Sequence, residues 1–432
     1  MKALSRIVAT LLLCLVWLDS PAVMEIEITE GVEGALPIAI TAFAGDKYAG
    51  PQKLENIISN DLHSSGLFDV LDRNLLPRTV AGSPGLDYRA WRNSGAESLL
   101  AGRVSRVSED EYRIEFRLYD LVRQKKLSGH AISSVNRKDV RKVAHKISDM
   151  VFEELIGVRG TFSTRIAYVE TVQDSAGTKY ELRIADMDGF NSRTIFSSAG
   201  QLMSPSWSPD GMRLAYVSFE GGNSAIYVQD VTRGTRIRAS AQSGMNSAPA
   251  WSPDGRYLAL TLSIHGSPDI YIMDAQTGHL KRITDNEKII DTEACWTPDS
   301  KALLFTSDRQ GETQIYRVLV RERRVERVTR EGRYNAAPEI SPDGRHLAMV
   351  HNNGSGFRIA VMDLRSGKLR VLTEGNMDEG PSYAPNGKII LYATSVQGRN
   401  MLAAVSSNGR VNRRLHRAGE GVRAPAWSPF ND

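Results

Sequence analysis

The sequence predicts an α/β N-terminal domain followed by an all-β six-bladed β-propeller whose ring is closed by the C-terminal strand. Three observations carry this expectation. A short motif recurs six times at a nearly constant interval, every copy opens a turn-and-strand pattern, and residues 23–156 before the repeats follow a different periodicity.

The repeat comes first, because overlooking internal repetition misassigns a fold. Its copies are Ser204-Pro-Ser-Trp-Ser-Pro-Asp-Gly211, Ala248-Pro-Ala-Trp-Ser-Pro-Asp-Gly255, Glu293-Ala-Cys-Trp-Thr-Pro-Asp-Ser300, Ala337-Pro-Glu-Ile-Ser-Pro-Asp-Gly344, Gly380-Pro-Ser-Tyr-Ala-Pro-Asn-Gly387 and Ala424-Pro-Ala-Trp-Ser-Pro-Phe-Asn431. The second proline falls at 209, 253, 298, 342, 385 and 429, in steps of 44, 45, 44, 43 and 44 residues. Four of the six tryptophans lie inside the motif, so chance alignment is untenable. Ser208-Pro209-Asp210-Gly211 places Ser, Pro and Gly where a type I turn prefers them. An apolar strand follows each turn (Leu214–Val217, Leu258–Thr261, Leu303–Thr306, Leu347–Val350, Ile389–Tyr392), then a second and a third. With the strand before the turn, each unit holds four short strands, the pattern of a propeller blade. Residues 165–169 match a post-turn strand with no motif before them, whereas Ala424–Ser428 is a motif with no strand after it. The last segment therefore supplies the missing inner strand of the first blade, sealing residues 160–432 into a ring without open ends.

Residues 23–156 alternate strand and helix patterns. Pro37–Phe43, Leu99–Val104, Tyr112–Leu118 and Leu127–Val135 read as strands. Leu54, Ile57, Ile58 and Leu62 have helical spacing, and Asp139–Leu155 carries an amphipathic stripe that stops at Gly157. The helix ends close to the first blade, so the two domains are expected to dock.

Composition narrows the class. Of 432 residues 41% are hydrophobic and 24% charged, which is globular rather than disordered. Lys+Arg is 54 against Asp+Glu 50, and no long run of one sign occurs, so nothing demands nucleic acid. Residues 1–22 have the three parts of a secretory signal: Lys2 and Arg6, the apolar run Ile7–Leu18, and small residues at Ser20 and Ala22. Cleavage is expected after Ala22; an uncleaved N-terminal anchor is the alternative. Cleavage would remove Cys14 and leave Cys295 without a disulfide partner. No later apolar stretch is long enough to span a bilayer.

Enzyme signatures are missing. No G-x-S-x-G, G-x-x-x-x-G-K-[ST] or H-E-x-x-H occurs. His346 and His351 point to opposite faces of a strand. Cys295 occupies a slot that Ser206, Ala250, Ser382 and Ala426 fill elsewhere, so packing outweighs nucleophilic chemistry there. The motif tryptophans read as core. What remains is surface. The segments leading into the inner strands, expected to be loops around one mouth, carry Asn246, Asp291, Thr292, Glu293, Asn335, Asp378 and Glu379. Four carboxylates near one mouth suit a cation or a basic partner segment; ordinary loop polarity is the competing explanation. A second candidate is Met24-Glu-Ile-Glu-Ile-Thr29, whose alternation suits a strand that adds to another sheet. It equally suits an edge strand of its own domain.

The six spaced motifs, Arg141–Asp149, Gly160–Val169 and the Ala-Pro-Ala-Trp-Ser-Pro ending together resemble the TolB family of the Tol-Pal system over nearly the whole chain after residue 22. The resemblance implies a non-enzymatic periplasmic interaction protein without a cofactor, with a channel cation left open. It implies binding of the lipoprotein Pal at the propeller mouth, with Met203, Ser204, Met245, Asn246, Ala248, Asp291, Thr292, Glu293, Asn335, Ala336, Asp378 and Glu379 as candidate contacts. Thr292, Glu293 and Ala248 match the family's motif loops; Met245 stands where the family often has His. It also implies that Met24, Glu25, Ile26, Glu27, Ile28 and Thr29 form a TolA-recognition strand, that other outer-membrane proteins are further partners, and that the role concerns outer-membrane integrity and constriction at division. The rivals are a propeller lyase or hydrolase acting on a small ligand in the channel, and a WD-repeat-like scaffold.

Overall fold

The computed structural model describes residues 26–28, 34–45, 53–77, 86–175, 177–415 and 421–430. The signal-like segment, Met24, Glu25 and Thr29 lie outside the described residues. The first described element is β1, Ile26–Ile28. The N-terminal domain then runs β2 (Leu36–Ile40), α1 (Leu54–Ser64), β3 (Phe68–Val70), α2 (Tyr88–Asn93), β4 (Ser98–Arg106), β5 (Glu111–Asp120), β6 (Lys125–Asn136) and α3 (Val140–Ile156). Its sheet has the order β3-β2-β4-β5-β6, with β2 parallel to both neighbours. Ile38, Ala39 and Ile40 are all buried, as a central parallel strand requires. Leu54, Ile57, Ile58 and Leu62 of α1 pack into the core together with Val140, Val143, Ala144, Ile147 and Val151 of α3. Gly157 ends α3 with φ 81°, a left-handed cap that glycine adopts without a Cβ penalty. Two elements carry too little periodicity to be read from sequence. β3 spans three residues, and α2 is a six-residue helix that buries Trp91 alone and is capped by the Asp87 carboxylate, which accepts from the Ala90 N–H at 3.0 Å.

The propeller has six four-stranded antiparallel blades. Blade one is built from residues 165–198 and closed by Val422–Trp427, which pairs with Arg165–Asp174 in the register Val422↔Glu170 and Trp427↔Ile166. Blades two to six begin at Leu202–Trp207, Asn246–Trp251, Asp291–Trp296, Tyr334–Ile340 and Glu379–Tyr383. The motif turns close as their composition dictates: the Gly255 N–H donates to the Ser252 carbonyl at 2.9 Å, and the Ser252 hydroxyl caps Asp254 at 2.6 Å. The motif tryptophans are core. Trp207 Nε1 donates to the Ala426 carbonyl at 3.2 Å and Trp296 Nε1 to that of Ala250 at 3.0 Å, so each indole bolts its blade to the preceding one.

All six inner strands break register at the same place. Ser204, Ala248, Glu293, Ala337 and Ala424 take positive φ of 45–54°, and Gly380 takes 59°. Each marks a shift in the ladder to the next strand, a bulge that twists the inner edge toward the axis. This corrects one expectation. The segments read as loops around the mouth are for the most part the opening residues of the inner strands themselves, bent by the bulge.

The two domains share one hydrophobic core. Phe152 and Ile147 of α3 belong to the same buried cluster as Phe162, Tyr168, Leu402, Leu415 and Trp427 of the propeller. Polar contacts pin the joint. Asp149 accepts from the Phe162 N–H at 2.6 Å and from the Ser163 hydroxyl. Arg141 of α3 pairs with Asp188 of the propeller, and behind this contact, within the N-terminal domain, Asp61 accepts from Ser148 at 2.7 Å and pairs with His145 Nδ1 at 2.8 Å. β1 does not sit at the edge of its own domain. It is the fifth, outermost strand of blade six, antiparallel to Val411–Leu415 with Ile26 opposite Arg413 and Ile28 opposite Val411.

Candidate functional site

The inner strands enclose a channel of about 640 Å³. Three residues ahead of the first channel-lining residue of each blade, at the entry to the channel, stand Gln201, Met245, Ile290, Tyr334, Met377 and Gly421. Blades three to six fill that slot with large apolar side chains. Met245 is 45% exposed, Ile290 50% and Met377 59%, among few large apolar residues on the described surface. Their backbones are held while their side chains face outward. The Met245 N–H donates to Ser263 Oγ at 2.7 Å, and the Ile290 N–H donates to the Asp308 carboxylate at 2.8 Å. An exposed apolar arc on a rigid rim is the form of a protein-docking surface.

The next slot behaves in the opposite way. Asn246, Asp291, Asn335 and Asp378 are all buried, at 0–1% exposure. Asn246 bonds Ser240 Oγ at 2.8 Å and the Gln242 carbonyl at 2.8 Å; Asp291 forms a two-oxygen pair with Arg309 at 2.8–2.9 Å. Asn335 bonds Gln314 at 2.9 Å and His351 Nδ1 at 2.8 Å, and Asp378 accepts from Thr394 at 2.6 Å and from Thr373. Burial lowers the His351 pKa, although the Glu331 charge opposes it. Burial also pushes the Asp378 carboxyl up, against the hydroxyls of Thr373 and Thr394. These side chains are therefore spent inside the fold: Asp291 pairs within its own blade, whereas Asn246, Asn335 and Asp378 also tie to the preceding blade through Ser240, Gln314 and Thr373. Of the four mouth carboxylates expected from sequence, two are exposed, Glu293 and Glu379. All four buried groups share one motif slot, which the sequence shows, but only the fold reveals that the slot is buried.

The bulge slot carries the remaining surface. Met203 and Ser204 of blade two and Ala248 of blade three are half-buried, and Ala336 of blade five is buried. Thr292 reaches back to Thr261 of blade three at 3.4 Å. Glu293 reaches forward: its carboxylate accepts from Thr306 Oγ1 at 2.9 Å and from the Ala337 N–H of blade five at 3.1 Å. Thr292 and Glu293 thus tie three blades together at the mouth while Glu293 stays exposed. Cys295 is buried, and desolvation pushes its thiol well above the usual range, which suits packing and not a thiolate nucleophile. Deeper in the channel stands Glu339, which sequence reasoning did not single out. Burial pushes its carboxyl up to about 7, against one hydrogen bond from the Tyr383 N–H.

Two family models match this architecture in order: the TolB amino-terminal domain over residues 24–127 and the TolB beta propeller domain over residues 152–431. The chain belongs to the TolB family. It is 46% identical over 425 residues to the Tol-Pal system protein TolB of Thioalkalivibrio sulfidiphilus (strain HL-EbGR7), covering 98% of this chain and 97% of the relative. It is 46% identical over 410 residues to the protein of the same name from Hydrogenovibrio crunogenus, covering 94% of each. The crystal structure of TolB from Acinetobacter baumannii superposes with a TM-score of 0.86 at 37% identity, covering 94% of this chain and 100% of that one. Within the TolB frame, the methionine at 245 puts an exposed thioether on the rim in line with Ile290 and Met377.

Proposed function

We propose that this chain is a non-enzymatic component of the Tol-Pal system, secreted to the periplasm, that binds Pal at the propeller mouth and offers its N-terminal strand to TolA. It would thereby serve outer-membrane integrity and constriction at division. The observation that carries the reading is the rim: three exposed apolar side chains in one repeat slot, on anchored backbone, beside the exposed Glu293. Met203, Ser204, Ala248, Thr292 and Glu379 extend that surface. Asn246, Asp291, Asn335, Ala336 and Asp378 support it from beneath. Large flexible apolar groups supply most of the affinity when a partner covers them, and Glu293 supplies register. β1 supports the second half of the reading. It is held by a ladder of three residue pairs at a sheet edge, so it is a strand that can exchange one edge for another.

Calorimetric titration of residues 23–432 with a soluble Pal domain tests the mouth. Wild-type chain binds. Thr292→Arg and Glu293→Lys, which break the contacts to blades three and five and reverse the charge, lose at least about tenfold in affinity. Unchanged affinity in both variants would move the site away from the mouth.

A further inference from the structure

Among the departures of the channel wall from its repeat, two are carboxylates. One residue before the motif aromatic, whose place Ile340 takes in blade five, the blades carry Ser206, Ala250, Cys295, Glu339, Ser382 and Ala426, all lining the channel. In two blades the serine has a visible duty: Ser206 Oγ accepts the Trp251 N–H of the next blade at 3.3 Å, and Ser382 Oγ accepts the Trp427 N–H at 3.0 Å. Glu339 does the same for Tyr383. A serine would close that bond without taking a charge out of water, so the fold has no use for the extra carboxylate. An independent observation lies beside it. Tyr383 is 6% exposed and lines the same channel; its hydroxyl is buried, feels the Glu339 charge and has no hydrogen-bond partner among the described residues. Two residues toward the mouth, Glu293 breaks a slot otherwise held by Ser204, Ala248, Ala337, Gly380 and Ala424. No lysine or arginine lines the channel among the described residues.

We propose that the channel takes the side chain of a lysine from a polypeptide docked at the mouth, with its methylene stem along the proline-lined wall and its ammonium between Glu339 and the Tyr383 hydroxyl. The assignment rests on the mouth being a protein-docking surface. An ammonium is a compact charge on a four-carbon stem with three donors, which suits a narrow lumen with acceptors at its depth. A guanidinium asks for a two-oxygen carboxylate, and Glu339 already spends acceptor capacity on Tyr383. A calcium ion asks for six to eight oxygens, and the wall at that depth supplies one carboxylate among small residues.

The four motif indoles, among six in the chain, report on the channel. Indole ¹⁵N spectra of residues 23–432 are titrated with acetyl-Ala-Lys-Ala-amide, its norleucine analogue, cadaverine and CaCl₂. The lysine peptide is expected to shift motif indoles and the norleucine peptide is not. Glu339→Ser weakens the response about tenfold or more yet unfolds no earlier than wild type, because serine makes the same interblade bond at 206 and 382; Glu339→Gln, of unchanged size, gives the same loss of response. Equal titration of wild type and Glu339→Ser, or equal response to norleucine, overturns the proposal. A response confined to CaCl₂ overturns it in favour of a metal ion, and one confined to cadaverine in favour of a free amine. The mouth reading fails separately: it falls if the Pal domain does not bind, whatever the peptide does.

Discussion

Asp149 shows how one side chain holds two domains together and makes the joint sensitive to pH. Burial raises its carboxyl to about 6, although the Ser163 hydroxyl and the Phe162 N–H pull the other way; the neighbouring Asp61 charge adds to the rise. The sign follows. Between the unfolded value of 3.8 and about 6 the native state binds the proton more tightly, so this group's contribution to stability grows as pH falls through about 6 and is lost as pH rises above it. The span corresponds to up to about 3 kcal/mol. Urea denaturation of wild type and Asp149→Asn at pH 5 and pH 7.5 should show wild type gaining more on acidification than the variant. Parallel behaviour would remove Asp149 as the source. Glu339 acts in the same direction, so the difference between the two proteins is the quantity to read.

At the scale of elements, the outer edge of blade six is where the molecule is poised to change. β1 adds three residues to Val411–Leu415, and Ile26 lies opposite Arg413. Arg413 is a fully buried guanidinium whose Nη2 meets the Met187 sulfur at 3.6 Å. Desolvation lowers its pKa to about 10, while the Asp61 charge opposes the drop. The strand on which β1 docks is therefore rooted in the charged joint between α1, α3 and blade one. A partner that captures β1 bares the edge of that strand, and any coupling to the mouth must be reciprocal. Deleting residues 23–33 should change Pal affinity measurably in calorimetry and raise amide exchange across residues 411–415. An unchanged Pal affinity would end the idea that the two sites communicate.

At the scale of the whole molecule, ring closure and the shared core set cooperativity. Val422–Trp427 is the only described sequence-distant strand that seals the ring, and Trp427 also donates to Thr164 at 2.7 Å. Calorimetry of residues 23–432 should give one two-state transition that includes the N-terminal domain, because Phe152 and Trp427 sit in one cluster. Truncation after residue 421 leaves the inner edge of blade one unpaired and should remove that transition. A truncated chain melting within a few degrees of the full one would show that closure contributes little.

The sequence by itself determined the architecture. Pro-Asp-Gly turns, apolar strands and their interval are local features, so their six-fold repetition alone specified blades, ring and closing strand. It also marked Thr292 and Glu293, because they are polar residues of the segment that leads into an inner strand. Three things were decided only by tertiary structure. Asn246, Asp291, Asn335 and Asp378 read as mouth polarity but are buried anchors, since the blades pack around that slot and supply its hydrogen-bond partners. β1 read as an edge of its own domain or another sheet but docks on a blade nearly four hundred residues away in sequence. Glu339 read as one more motif residue, and became visible as a channel carboxylate once the ring brought six equivalent positions around a single axis. Burial and pairing between distant segments depend on which surfaces meet, and no local pattern encodes that.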